Sequence, residues 1–190
     1  MPLVKNTQST TRPTGLNTNT GSAASAPARV GFAARGVKSD RIDREGQYTG
    51  TIDRLEVVTQ DKSTSDGVDY KAPSGRLKVT VTGGEFDGIK QTVFFNFHPT
   101  GPNGEPFGTI ADAFTEGQKT NFAISEDGLK RLLLGLGVQE DTLFPPADAN
   151  GEFPAPDWET ISSIIEGKSV RLVAKQGKND YFNVNAYLLK

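Results

Sequence analysis

Apolar residues alternate with polar ones from Tyr48 to Val58, on even positions first (Tyr48, Ile52) and then on odd ones (Leu55, Val57). Alternation marks a half-buried strand, and a phase slip within one strand is what a β-bulge produces, with Gly50 placed to ease it. Thr59 to Gly75 is polar and predicts a loop. Alternation resumes from Arg76 to Val81, with Leu77, Val79 and Val81 facing one way, and again from Ile89 to Phe97, with Val93, Phe95 and Phe97. Between these runs Gly83-Gly84-Glu85-Phe86-Asp87-Gly88 supplies glycines and an Asp-Gly pair that tolerate positive φ, so the two runs form a hairpin.

Pro99 to Phe107 predicts a loop, and Phe114 to Ile124 a short extended piece. Ser125 is placed to cap a helix, with Glu126 and Asp127 against the positive end of its dipole. Leu129, Leu132, Leu133 and Leu136 then fall at i, i+3, i+4 and i+7, one apolar stripe that makes a core face, and Gly137 stops it. After a loop from Pro145 to Pro156, Asp157 caps a short helix carrying Trp158, Ile161 and Ile165 as far as Gly167. Two last strands follow, Ser169 to Lys175 and Asp180 to Leu189. A mainly β chain with two short helices and loops of uneven length fits an OB-like small β-barrel, covering residues 46–190.

Composition adds an arm and removes most chemistry. The chain has 190 residues, 35% of them hydrophobic, with a mean hydropathy of −0.45. Residues 1–39 hold Lys5, Arg12, Arg29, Arg35 and Lys38 and no acid, so five of the 21 basic and none of the 23 acidic residues lie there. The remainder then carries 16 basic and 23 acidic groups, a net charge of −7. Residues 1–45 are too rich in Ser, Thr, Asn, Gly, Ala and Pro to bury a core and predict a disordered basic arm. The arm has no secretory h-region, and Pro13, Gly15, Gly21 and Pro27 oppose the amphipathic helix of a transit peptide. No run approaches the about 18 apolar residues of a membrane span. The absence of Cys removes disulfides and thiol chemistry, and a single His, His98, removes His-rich metal sites and most acid–base designs.

The motifs that survive this filter are weak. Gly167-Lys168-Ser169 resembles the end of a phosphate-binding loop, but Ser162 stands where that loop needs its first Gly, so a helix C-cap is the better reading. Asp148, Asn150, Gly151 and Asp157 match positions 3, 5, 6 and 12 of a calcium loop whose first position would be Pro146, which supplies no carboxylate. Asp61, Asp66 and Asp69 cluster in the polar stretch as solvated carboxylates. The expectation is therefore no enzyme, no catalytic residue, no metal and no cofactor.

Strand alternation does assign a surface. With Leu77, Val79 and Val81 inward, Arg76, Lys78 and Thr80 point outward; on the partner strand Lys90, Thr92, Phe94, Asn96 and His98 do so. In the last two strands Arg171, Val173 and Lys175, then Tyr181, Asn183, Asn185 and Tyr187, face out. Neither pair places an acid there. Cations among exposed rings suit a single nucleic-acid strand: Arg76, Lys78, Lys90, Arg171 and Lys175 would neutralise phosphates, and Phe94, Tyr181 and Tyr187 would stack on bases. Solvent faces of antiparallel sheets carry Lys, Arg, Thr and Tyr for ordinary reasons as well.

The turn Gly84-Glu85-Phe86-Asp87-Gly88-Ile89-Lys90 resembles the signature turn of a family of small phage-encoded proteins, regarded as single-stranded-DNA-binding proteins of OB-fold type. Leu129 to Val138 is similar to that family's helix ending in Gly-Val, Ile165-Glu166-Gly167-Lys168-Ser169-Val170 to its helix-to-strand junction, and Tyr181-Phe182-Asn183-Val184 to Tyr187 to its closing strand. The likeness covers Gly46 to Lys190. The loops Pro99–Gly108 and Pro145–Pro156 are long for it, and Tyr187-Leu188-Leu189-Lys190 lacks the acidic tail that recruits replication enzymes. The resemblance implies sequence-nonspecific binding of single-stranded DNA in phage replication or recombination, in the host cytoplasm, with phage or host replication proteins as partners. The competing expectation is a virion or assembly protein, a homo-oligomer whose arm orders against neighbouring subunits.

Overall fold

The computed structural model describes residues 40–177 and 181–189; residues 1–39, most of the expected arm, lie outside that range. Five strands, β1 (Gly46–Ser63), β2 (Asp69–Thr82), β3 (Lys90–Asn96), β4 (Ser169–Gln176) and β5 (Phe182–Leu188), form one antiparallel sheet in the order β3-β2-β1-β4-β5. Between β3 and β4 run α1 (Phe107–Ile110), a 3-10 turn (Ala111–Ala113), α2 (Glu116–Gly135), α3 (Glu140–Leu143) and α4 (Trp158–Ile165). The architecture is thus mixed, and among the described residues no ladder joins β3 to β5, so hydrogen bonding does not close the expected barrel.

The bulge lies three residues beyond Gly50: the β1–β2 register shifts between Ile52 and Arg54, placing Asp53 as the extra residue. Ile52 and Leu55 on either side are both buried, so the bulge reconciles their opposite phases. Gly50 serves another end. A Cβ there would meet Val79 Cγ1 and lie 3.2 Å from the Thr80 carbonyl oxygen and 3.3 Å from Leu172 Cδ1. Its missing side chain lets the inward residues of β2 and β4 close over β1. Past the bulge β1 parts from β4 and its edge is covered by α4: Leu55 N–H donates to Ser162 Oγ at 2.9 Å.

Two expected elements are corrected. The Thr59–Gly75 loop is mostly strand, since β1 and β2 pair from Val57↔Gly75 out to Ser63↔Asp69. That extension is held by backbone bonds while its side chains are mostly polar and none but Gly75 is buried, so it leaves no alternation to read. Of Phe114 to Ile124, the part from Glu116 on is helical rather than extended. Thr115 caps α2 in a reciprocal box, its Oγ1 accepting from Gln118 N–H at 3.3 Å and its N–H donating to Gln118 Oε1 at 2.9 Å. Ser125, expected as the cap, lies mid-helix.

The Leu stripe behaves as expected, with Leu129, Leu132, Leu133 and Leu136 all buried. Gly137, at φ +86°, ends the helix: its N–H reaches the Leu134 carbonyl and the Val138 N–H the Leu133 carbonyl, a Schellman arrangement. Asp157 caps α4 through Glu159 and Thr160 N–H, and Ile161 and Ile165 are fully buried. The core gathers these helix faces with Leu77, Val79, Val81, Val93, Val170 and Leu172, and Ile42 upstream of β1 joins it.

Candidate nucleic-acid interface

Helix α2 sits between the unpaired edges of β3 and β5. Its Gly135 lets the Leu188 side chain of β5 approach to contact, and Leu129 Cδ2 stands 3.3 Å from where a Cβ on Gly75 of β2 would be. Two tethers hook α2 onto the end of β3. Asn96 N–H donates to Ser125 Oγ at 2.8 Å, and Glu126 takes the His98 N–H at 2.6 Å and faces His98 Nδ1 at 2.7 Å. The carboxylate expected at a helix N-terminus is therefore a mid-helix clamp, and His98, which the sequence leaves without a partner, has one. Phe107 and Phe122 pack on the His98 ring, and Phe114 continues the cluster to Tyr70 of β2.

The polar first half of α2 then becomes a wall. Between it and the sheet lie two adjoining cavities that share Phe94 and Asn121. The first, about 710 Å³, spans the β3–β5 gap and is lined by Arg171, Asn185 and Tyr187 on one side and by Ile124 and Arg131 on the other. The second, about 540 Å³, continues along β2 and the long hairpin past Arg76, Lys62, Gln60 and Tyr70. The Phe94 ring is 60% exposed where they meet.

Four of the eight expected contact residues come together here: Arg76, Phe94, Arg171 and Tyr187. The Nε atoms of Arg76 and Arg171 are buried without a hydrogen-bond partner, and neither guanidinium forms an ion pair among the described residues. The Arg171 guanidinium lies 5.7 Å from the Tyr187 ring centroid, a cation–π pair. Lys78 is on the same face but paired, its Nζ 3.0 Å from Glu56 Oε2. Lys90, Lys175 and Tyr181 are exposed and line neither cavity; Tyr181 has the Arg41 guanidinium 5.7 Å from its ring.

The expected freedom from acids fails at β1. Each outer pair is acid-free in itself, but β1 separates β2 from β4 and brings Glu56 opposite Arg76, while Asp53 accepts from Thr80 Oγ1 at 2.9 Å. The hydrogen bond from Lys78, with Arg54, Lys78 and Arg76 charges nearby, outweighs partial desolvation and holds the Glu56 carboxyl below the usual range. Lys62, Gln60, Tyr70, Gln118 and Asn121 were missed because they lie on the unread strand extension and the unread half of α2. Thr115-x-x-Gln118 was the one sequence signal that could have found the latter.

Lys168 and Asp148 of the remaining motifs have local structural partners. Lys168 Nζ donates to the Leu136 carbonyl at the end of α2. Asp148 Oδ1 accepts from Asn150 and Glu152 N–H within a turn. Among the described residues no three His, Asp or Glu converge as a metal site, and no helix is long and apolar enough to cross a membrane. Comparisons with protein families, curated proteins and solved structures find no match.

Proposed function

We propose that the protein binds single-stranded DNA along this groove, as a non-enzymatic binding module acting in phage replication or recombination in the host cytoplasm. The observation that carries the reading is the placement of two arginines that form no ion pair among the described residues, Arg76 and Arg171, on either side of the exposed Phe94 ring. Cations at that spacing follow a phosphate chain while the ring between them takes a base face, a combination that does not require base pairing. The OB-like reading is supported by the five antiparallel strands left partly open at the β3–β5 edge, and by Arg76 and Phe94 lying on the second and third strands.

Fluorescence-anisotropy titration of the full chain with oligo-dT and a matching duplex, across a salt series, tests the proposal. With Lys62, Arg76 and Arg171 engaged, log K falls against log salt with a slope of about −2.1. Phe94→Ala removes a stacking surface and lowers affinity by about 1–3 kcal/mol, with the melting temperature nearly unchanged because the ring is exposed. Equal affinity for duplex, or affinity indifferent to salt, overturns the assignment.

A further inference from the structure

The second cavity has a composition that stacking and phosphate contacts do not require. No Asp or Glu lines it, although the described body is acidic; its polar lining is Lys62, Arg76, the hydroxyls of Tyr70 and Ser74, and the amides of Gln60, Asn96, Gln118 and Asn121. Its donors outnumber its acceptors. Lys and Arg only donate. The Gln118 carbonyl is already spent, accepting from Thr115 N–H at 2.9 Å and Thr115 Oγ1 at 3.0 Å, so that side chain has only its amide N–H groups to offer. The Arg76 guanidinium, which also lines the cavity, forms no ion pair among the described residues. About 540 Å³ falls within the roughly 300–1,000 Å³ of small-ligand sites.

We propose that this cavity is a nucleobase-reading subsite that takes a keto base, guanine or thymine, from the bound strand. The inference rests on the single-strand reading and deepens it. Phe94 at the mouth supplies a stacking face that accepts any base. The donors behind it do choose: guanine and thymine present a carbonyl oxygen where adenine and cytosine present an amino group, and two facing donors leave both unsatisfied. Arg76, carried on β2 across from Phe94, is the central reader, giving part of its five-donor fork to the base carbonyl while its charge still faces the phosphates, and Gln118 completes the edge from α2. Binding is therefore tolerant of sequence along most of the strand and selective at one position.

The test compares oligo-dA with the same oligonucleotide carrying hypoxanthine at spaced positions, which keeps the purine ring, exchanges the amino group for a carbonyl and turns N1 from an acceptor into an N–H, as in guanine. The full-length chain is titrated by anisotropy, beside Arg76→Lys and Gln118→Glu. Arg76→Lys keeps the charge and loses the planar fork. Gln118→Glu keeps the capping box and removes the amide donors. Thermal melts establish that both variants are folded.

The wild-type chain should bind the hypoxanthine strand about tenfold tighter. Both variants should bring the two strands near parity, and Arg76→Lys should leave the salt slope unchanged. Tight but equal binding of the two strands by the wild type overturns base reading and leaves single-strand binding standing. A hypoxanthine advantage that survives in both variants overturns the assignment to this cavity. Failure to bind either strand removes both readings.

Discussion

Glu56 is the carboxylate that β1 sets opposite Arg76 and beside Lys78, and removing its charge is the sharpest probe of how the groove works. Its two oxygens hold Arg54 at 2.7 Å and Lys78 at 3.0 Å. Glu56→Gln keeps the size and an acceptor while releasing the charge of both partners. If Lys78 then joins Lys62, Arg76 and Arg171 on the phosphates, the salt slope deepens from about −2.1 to about −2.8. One added contact raises affinity for oligo-dT about eightfold near 50 mM salt and about threefold near 200 mM. Anisotropy titrations of wild type and variant across that range give both quantities. The same carboxyl predicts a pH response. Because its pKa lies below the ordinary range, wild-type binding gains this increment only under acid conditions that protonate it, and Glu56→Gln should abolish the gain. A variant whose affinity and slope match the wild type would show that the bound strand does not run past Lys78.

Gly50→Ala forces a Cβ against Val79 and Leu172, and should cost about 1–3 kcal/mol in urea denaturation; an unchanged midpoint would mean β2 and β4 can part without loss. Thr115→Ala removes the capping box and should cost about 1 kcal/mol, with oligo-dT affinity falling as the Gln118–Asn121 wall loosens. Asp157 is held below the usual carboxylate range first by the Thr160 hydroxyl and then by backbone N–H groups, and Asp148 by the Glu152 and Asn150 N–H groups. Both are depressed in the folded state, so their stabilisation is present above the unfolded pKa and is lost as pH falls through the folded values. Asp157→Asn, which still accepts at the cap, should flatten the acid limb of a Tm-against-pH profile.

Burial that alternates is legible in a sequence, and backbone pairing that buries nothing is not. Leu77, Val79, Val81 and Val93 are read correctly because a single face decides their register. The Lys62 and Tyr70 ladder is invisible because its side chains are only partly buried or exposed, with no alternating buried face, so no periodicity records it. The opening of α2 was hidden for a different reason. Gly117 and Gly128 lower helix propensity, and Phe114 and Phe122 suggest a strand, yet the Thr115 cap and the aromatic packing of Phe122 on His98 and Phe114 override both. Outward residues on β2 and β4 were also placed correctly one strand at a time. What the alternation could not supply was the strand order, which sets β1 between them and puts Glu56 opposite Arg76.

That order also explains why the groove forms where it does. With β1 central, β3 and β5 become the free edges, and α2 enters between them from the loop that leaves β3. Its second half is spent on the core through the Leu stripe, the Gly137 stop and the Lys168 contact. Its first half has no apolar stripe to bury, so it projects beside the sheet and is positioned by Ser125 and Glu126 at the end of β3. The wall is consequently coupled to β3 by polar contacts and to the core by apolar ones. Loosening the polar tethers alone should widen the groove while leaving global stability set by the buried leucines.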